Sequence, residues 1–355
     1  MNKKALSLLA VLALGTLAGC GPKESSSEAP AAKKYSVGLG YNFSYSYTAD
    51  DAKTTDKNEE AGQVDMTVAM AAFDEEGKVY DVRFDVVQVK FTATADRSGL
   101  TLTNTNVVDG SVTTKLELGK DYNMKGSSAI GVEVDSQIEA FADWVVGKKY
   151  NEIASSLIPG SGHGVAPHAD LASTCTITVD AFVAAIESAW ENRSATAYTV
   201  SKDAKIGIAM KSGLAYNYGK PTKEISIDVA GTVVEGGKVV ASAIDAIVYP
   251  VAIAEDGTMS TDTASKYIGS DGLVISKKTL GDAYAMKPAS PVGKEWWEQA
   301  AIIEAAAIGK TSTEIAALVK NEGDLVGATM TLDSYTAMLA KSATYAEKEL
   351  IGPQA

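Results

Sequence analysis

Positive charge is what this sequence lacks most plainly. Its 355 residues carry 32 Lys and Arg against 45 Asp and Glu, a formal net charge of −13. A polyanion such as nucleic acid is therefore excluded as an expected partner, because nothing offers it a basic footprint. Long hydrophobic runs are also missing. The longest apolar stretch, Ala5 to Leu17 in "MNKKALSLLAVLALGTLAGC", is too short to span a bilayer comfortably. Nothing after it is long and apolar enough to cross a membrane. Behind Lys3 and Lys4, that stretch reads instead as a secretory signal over residues 1–19.

Cysteine and histidine are the next scarcity, with two of each. Leu17-Ala18-Gly19-Cys20 resembles a bacterial lipobox, which implies that Cys20 is diacylated and becomes the mature N-terminus. Loss of the leader removes two lysines and no acid, leaving 30 basic and 45 acidic side chains, a net charge of −15. Such an acidic surface suits an exported protein that must not adhere to anionic surfaces. With Cys20 lipidated, Cys175 stands alone. No internal disulfide is then available, and tetrahedral zinc is nearly excluded, since His163 and His168 have no second thiol to join. Core burial must hold the fold. The segment "GPKESSSEAPAAKK" is polar and rich in Ser, Pro and Ala, so residues 20–34 read as a flexible tether.

The remaining chain is long enough for two domains, and it repeats itself. "LGKDYNMK" (Leu118 to Lys125) recurs as "LGDAYAMK" (Leu280 to Lys287), a shift of 162 residues. The same shift maps Gly131 onto Gly293, Gly147-Lys148 onto Gly309-Lys310 and Glu152-Ile153 onto Glu314-Ile315. "EEGKVYDVRFD" and "EGGKVVASAID" match at a shift of 160, which pairs Asp85 with Asp245. Thr176 and Thr329 are 153 apart, so the first copy carries a longer loop, "PGSGHGVAPHA", which holds both histidines. These matches place one domain over 35–195 and a second over 196–355.

Periodicity sets the expected architecture. "QVDMTVAMAAFDEEGKVYDVRFDVVQVKF" alternates around a Glu-Glu-Gly turn and reads as a β-hairpin, as does "EISIDVAGTVVEGGKVVASAIDAIVY". Glu139 to Leu157 and Glu295 to Val319 place apolar residues at helical spacing. A last helix follows each threonine cluster, with Thr178 or Asp180, and Thr331 or Asp333, as the expected N-caps. Strands first and helices after point to α+β domains with antiparallel sheets.

The threonine clusters carry the chemistry. One is "DLASTCTIT", from Asp170; the other is "DLVGATMT", from Asp324. Hydroxyls ahead of a helix cap it, and a helix N-terminus also receives phosphate. A third reading comes from resemblance. The pattern Asp170-x-x-Ser173-x-Cys175-Thr176-x-Thr178, and Gly327-Ala328-Thr329-x-Thr331, resembles the FMN-binding domain family, whose motif is approximately Asp-x-x-Ser/Thr-Gly-Ala-Thr-x-Thr/Ser. The resemblance implies that Thr176 and Thr329 each take FMN through a phosphoester bond, installed by a separate FAD-dependent FMN transferase. Thr174-Cys175 replaces Gly-Ala in the first copy; in the second, Val326 replaces the hydroxyl residue and Asp324 is one position too close. The repeated Leu-Gly-x-x-Tyr-x-Met-Lys element adds candidates. Tyr122 and Tyr284 would stack on the flavin, Met124 and Met286 give polarisable contact, and Lys125 and Lys287 offset phosphate or ring charge. The opposing reading of that element is a turn with core Tyr and Met and a solvated Lys. Asp85 and Asp245 read as polar positions on a strand face, His163 and His168 as surface-loop residues, and Cys175 as a small residue in place of Ala or a reactive thiol.

Lipobox, repeat and threonine motif together resemble the two-domain FMN-binding lipoproteins of flavin-based extracellular electron transfer in Gram-positive bacteria, some of whose leaders yield peptide pheromones. The resemblance implies a non-enzymatic electron carrier lipid-anchored to the outer face of the cytoplasmic membrane. Its implied partners are a membrane NADH dehydrogenase and quinone upstream, and ferric iron, soluble flavins or other oxidants outside. The rival expectations are a solute-binding lipoprotein and a structural or signalling surface lipoprotein without cofactor. No acceptor pocket is legible in the sequence.

Overall fold

In a computed structural model, residues 34–48, 61–157, 169–194, 198–199, 203–216, 220–319, 322–330 and 332–348 are described. The leader, Cys20, the segment that follows it to Lys33, both histidines and Thr331 lie outside them. Residues 33–355 form one compact unit.

Both expected hairpins are present. Strand β1 (Lys34–Thr48) pairs with β2 (Ala61–Phe73), and β2 with β3 (Val79–Ala93), all antiparallel. The β2–β3 turn is closed by the Asp74 carboxylate, which accepts from Glu76 N and Lys78 N at 2.9 Å each. Strand β4 (Leu100–Leu102) extends the β3 edge, and a two-stranded hairpin, β5 (Val107–Val108) with β6 (Ser111–Val112), follows. Helices α1 (Lys115–Leu118), α2 (Val134–Val145), α3 (Tyr150–Ile153) and α4 (Asp180–Glu191) complete the first half. Strand β7 (Tyr198–Thr199) returns to pair with β1. The second half repeats the order with β8 (Lys205–Leu214), β9 (Glu224–Glu235), β10 (Lys238–Ile253), β11 (Met259–Thr261), α5 (Lys277–Leu280), α6 (Trp296–Ala307), α7 (Ser312–Ala316) and α8 (Leu332–Lys348). The fold is α+β, with antiparallel sheets ordered β4-β3-β2-β1-β7 and β11-β10-β9-β8.

The two sheets lie face to face. Val64, Met66, Val68 and Met70 on one meet Ile206, Ile208, Ile227 and Val229 on the other in a single apolar layer. A methyl group on Gly231 would stand 2.7 Å from Met70 Sδ, a measure of how closely the sheets approach. At one end Tyr47 Oη and Tyr249 Oη are hydrogen-bonded across the layer at 2.8 Å. The outer faces are covered by helices: Phe73, Phe84 and Ala69 pack on α2 and α4, and Ala230, Val234 and Ile244 on α6 and α8. Strands buried on both sides lose clean alternation, which is why β2 ends in the apolar run "TVAMAAF".

The long helix expected in each half is divided. Helix α2 ends at Val145 and α3 starts at Tyr150; α6 ends at Ala307 and α7 starts at Ser312. Gly147 and Gly309 stand at the breaks with positive φ (81° and 77°), which a residue with a Cβ adopts only under strain. There the chain makes a short ladder to the sheet. Gly147 N donates to Val79 O, and Val79 N to Lys148 O; Gly309 N donates to Val239 O, and Val239 N to Lys310 O, at 2.7–2.9 Å. Tertiary hydrogen bonds to a strand override the helical pattern.

Candidate functional site: two threonine loops held by buried glutamines

Each half builds its site from the first turns of one helix. Helix α2 is preceded by Glu133, whose carboxylate accepts from Met124 N and Lys125 N at 2.9 Å each. Glu295, before α6, accepts from Met286 N at 2.8 Å and Lys287 N at 3.0 Å, and itself enters a capping box with Glu298. These bonds tie the Tyr-x-Met-Lys element to the helix start. Four residues on, on the same helix face, come Gln137 and Gln299, both fully buried.

The two amides bridge the site. Gln137 Nε2 donates to Ser128 Oγ (3.1 Å) and Val132 O (2.9 Å), while Oε1 accepts from Thr176 N (2.8 Å) and Thr176 Oγ1 (3.3 Å). Gln299 Nε2 donates to Ser290 Oγ (3.1 Å) and Lys294 O (3.3 Å); Oε1 accepts from Thr329 N (2.7 Å), Thr329 Oγ1 (3.5 Å) and Met330 N (3.0 Å). A backbone N–H can only donate and a carbonyl only accept, so the amide has one possible orientation in each case. Both threonines are half-buried. The hydroxyl contacts, at 3.3 and 3.5 Å, are long beside the N–H bonds, so it is the backbone N–H that fastens each loop.

This geometry corrects the capping expectation. Helix α4 begins at Asp180, its N-cap is Val179, and no side chain caps it. Thr178 and Asp180 therefore do not cap, although Asp180 in the first turn suits the helix dipole. Thr176 stands four residues before α4 and bonds to α2 instead. Helix α8 is described from Leu332, so Asp333 falls on its second residue. The helices after the loops are seated very closely on the sheets. A methyl on Gly38 would meet Ala189 O at 1.8 Å, and one on Gly207 would meet Ser342 O at 2.0 Å.

The other sequence candidates divide. Asp170 and Ser173 stand exposed on the loop before Thr176. Asp324 turns to Lys310 (2.7 Å between Oδ2 and Nζ) and is more than half exposed. Gly327 has φ 90°, and a methyl there would meet Lys294 Cε at 3.2 Å and Ile302 Cδ1 at 3.3 Å; a lysine stem thus covers this loop. Ala328 and Cys175 are both fully buried in matching places after Leu325 and Leu171. Burial pushes the Cys175 thiol up to about 11, so the reactive-thiol reading is set aside.

Tyr122 and Tyr284 are half-buried, as are Met124 and Met286, which pack on the outer apolar layers; Lys125 and Lys287 are exposed. Tyr122 Oη donates to Gln88 Oε1 at 3.3 Å, and Lys115 Nζ lies 5.1 Å from its ring centre. Tyr284 has Lys266 Nζ at 4.3 Å from its ring centre. Between Tyr and Met, Asn123 and Ala285 both take left-handed backbone (φ 60° and 59°), so the element bends identically in both halves.

Asp85 and Asp245 are anchors inside the fold. Asp85 Oδ1 accepts from Val86 N (2.7 Å) and Leu116 N (3.1 Å), and Asp245 Oδ1 from Ala246 N (2.8 Å) and Lys278 N (3.1 Å). Each thus fixes the first turn of α1 or α5, which leads into the tyrosine element. Desolvation, reinforced by nearby Glu117, raises the Asp85 carboxyl to about 7; desolvation raises Asp245 to about 6.

The sequence reading missed Gln137/Gln299, Glu133/Glu295 and Ser128/Ser290. All three pairs obey the 162-residue shift already established from the glycines, and that identity was the signal that could have found them. Among the described residues no group of His, Cys, Asp and Glu is arranged to hold a metal ion, and no helix is long and apolar enough to cross a membrane. No protein-family model, curated protein or solved structure matches this chain.

Proposed function

We propose that this chain is a duplicated FMN-binding lipoprotein: an electron carrier, not an enzyme, with FMN esterified to Thr176 and Thr329. The observation that supports the reading is the pair of equivalent threonines, each held through N–H and Oγ by a buried glutamine oxygen in the two halves. A threonine hydroxyl is a weak nucleophile, so a transferase must supply the base and the FAD. The chain's part is to present the oxygen. The glutamine fixes the loop through the threonine N–H; the transferase base would take the hydroxyl proton as Oγ attacks the FMN phosphorus of FAD and AMP leaves. The residues present suit a phosphoester. Gly327 has no side chain to compete with the Lys294 stem that lies over the second loop.

Bound flavin would supply one- and two-electron redox chemistry. Around it, Lys125 and Lys287, exposed beside the glutamate-pinned backbone, would offset phosphate charge. Tyr122, Met124, Tyr284 and Met286 offer half-buried apolar and aromatic surface. The lipid on Cys20 would keep the carrier by a membrane NADH dehydrogenase and quinone. Ferric iron, soluble flavins or other oxidants would collect the electrons. Covalent attachment suits an extracellular place, where a free cofactor is lost by dilution.

The test is intact mass of the chain produced with an active FMN transferase. One or two additions of the FMN moiety, each removed by Thr176→Ala or Thr329→Ala, are expected. An unmodified mass beside an active transferase overturns the reading.

A further inference from the structure

A cavity of about 880 Å³ opens where β3, α1 and the β5–β6 hairpin of the first half meet β8 and α8 of the second. It contains neither threonine loop. Its size lies in the range of pockets that hold small organic ligands.

The second half has the equivalent groove, and it is nearly closed. Gly38 and Gly207 occupy matching places beneath α4 and α8, so Tyr41 corresponds to Met210. The Tyr41 hydroxyl reaches Ser276 beside Asp245. Lys278 and Glu304 form an ion pair of 2.6 Å in the same groove, leaving only about 310 Å³. At the 162-residue shift, Lys278 and Glu304 correspond to Leu116 and Ala142. Lys278 on the wall of the closed groove thus corresponds to Leu116 on the wall of the open one, whose space is almost three times larger. The β5–β6 hairpin then covers it, docked where Ser212 N donates to Ser111 Oγ at 3.0 Å.

The wall chemistry specifies the occupant. Ile208, Met210, Met338, Leu116 and Val112 give an apolar lining with two polarisable thioethers, which favour aromatic rings. Arg83, Lys211 and Lys341 line the wall together with Asp85, Asp109, Glu117 and Asp121, so positive charge is not in excess. Lys341 and Tyr345 both engage Glu117 Oε1, the tyrosine at 3.0 Å, so that carboxylate needs nothing from a ligand. We infer that this cavity binds one uncharged aromatic ring compound. The inference is independent of flavin attachment.

The full chain, carrying Thr176→Ala and Thr329→Ala so that no covalent flavin contributes, is labelled with ¹³C at its methionine methyls and titrated with 2-naphthol. Saturable shifts confined to Met210 and Met338 (identified by Met→Leu substitution), complete below ~1 mM, are expected. Naphthalene-2-sulfonate should bind at least about tenfold more weakly, since the acidic side chains Asp85, Asp109, Glu117 and Asp121 line the same wall as Arg83, Lys211 and Lys341 and leave no excess of positive charge to replace water. The double variant Leu116→Lys/Ala142→Glu, which copies the closed groove's ion pair, should abolish the shifts, and Ala337→Trp, which fills the space from α8, provides a second closure. Absence of saturable shifts at these two methyls, equal or tighter sulfonate binding, or shifts that survive in a folded closed variant would each overturn the inference.

Discussion

The two halves share a plan and differ in how firmly they grip it. In the first, the Gln137 oxygen takes one backbone N–H and one hydroxyl; in the second, the Gln299 oxygen takes a further N–H from Met330. Lys294 lies over the second loop where the first has Val132. The buried aspartates differ too, with Glu117 pressing on Asp85 while Lys278 relieves Asp245. A repeated scaffold therefore tolerates drift at its edges, provided the buried polar groups remain satisfied in both copies.

The aspartates offer the largest way to break the resemblance between the halves. Both folded carboxyls titrate above the ordinary value of 3.8, so the unfolded chain releases these protons first. The stability each contributes is complete below about pH 4. It is lost as pH rises, through about 6 for Asp245 and about 7 for Asp85. Asp85→Asn should remove on the order of 4 kcal/mol of pH dependence between pH 4 and 7, and Asp245→Asn on the order of 3 kcal/mol between pH 4 and 6. Denaturant unfolding across that range measures both, and equal, unchanged slopes would refute the burial argument.

The glutamines come next. Gln299→Leu strands one more backbone N–H than Gln137→Leu does, so it should cost about 3 kcal/mol against about 2 kcal/mol. Urea midpoints at constant m-value rank the pair; the reverse order would show that the extra Met330 bond contributes nothing. For the acceptor reading, Lys294→Ala should lower FMN occupancy at Thr329 severalfold, equivalent to roughly 1 kcal/mol, and leave Thr176 unchanged. Peptide mass spectrometry after limited exposure to the transferase separates the two. The smallest effect belongs to the Lys310–Asp324 ion pair. It is partly exposed, and Lys310→Ala should cost less than about 0.5 kcal/mol. A larger loss by thermal unfolding would mean that the pair fixes the second loop.

Much of the fold was legible. Alternation around Asp74-Glu75-Glu76-Gly77 predicted β2–β3, and the matching segment predicted β9–β10. The helix breaks at Gly147 and Gly309 were not, because the apolar spacing continues through them and the competing bonds come from distant strands. At the candidate site, threonines announce themselves as clustered hydroxyls. Gln137 and Gln299 did not, because one polar letter in an apolar helix reads as its solvated face. Only burial turns it into a bridge.

The amino-acid order by itself determined the central hairpins, the apolar helical stretches, the internal repeat and the two equivalent threonine loops, since these rest on local periodicity and on identity at fixed spacing. Tertiary structure alone decided that the sheets share one apolar layer, that a glutamine rather than a helix end receives each threonine, and that one of two equivalent grooves stays open. Those outcomes depend on contacts between residues far apart in the chain, where volume and unsatisfied hydrogen bonds, and not local propensity, set the energy.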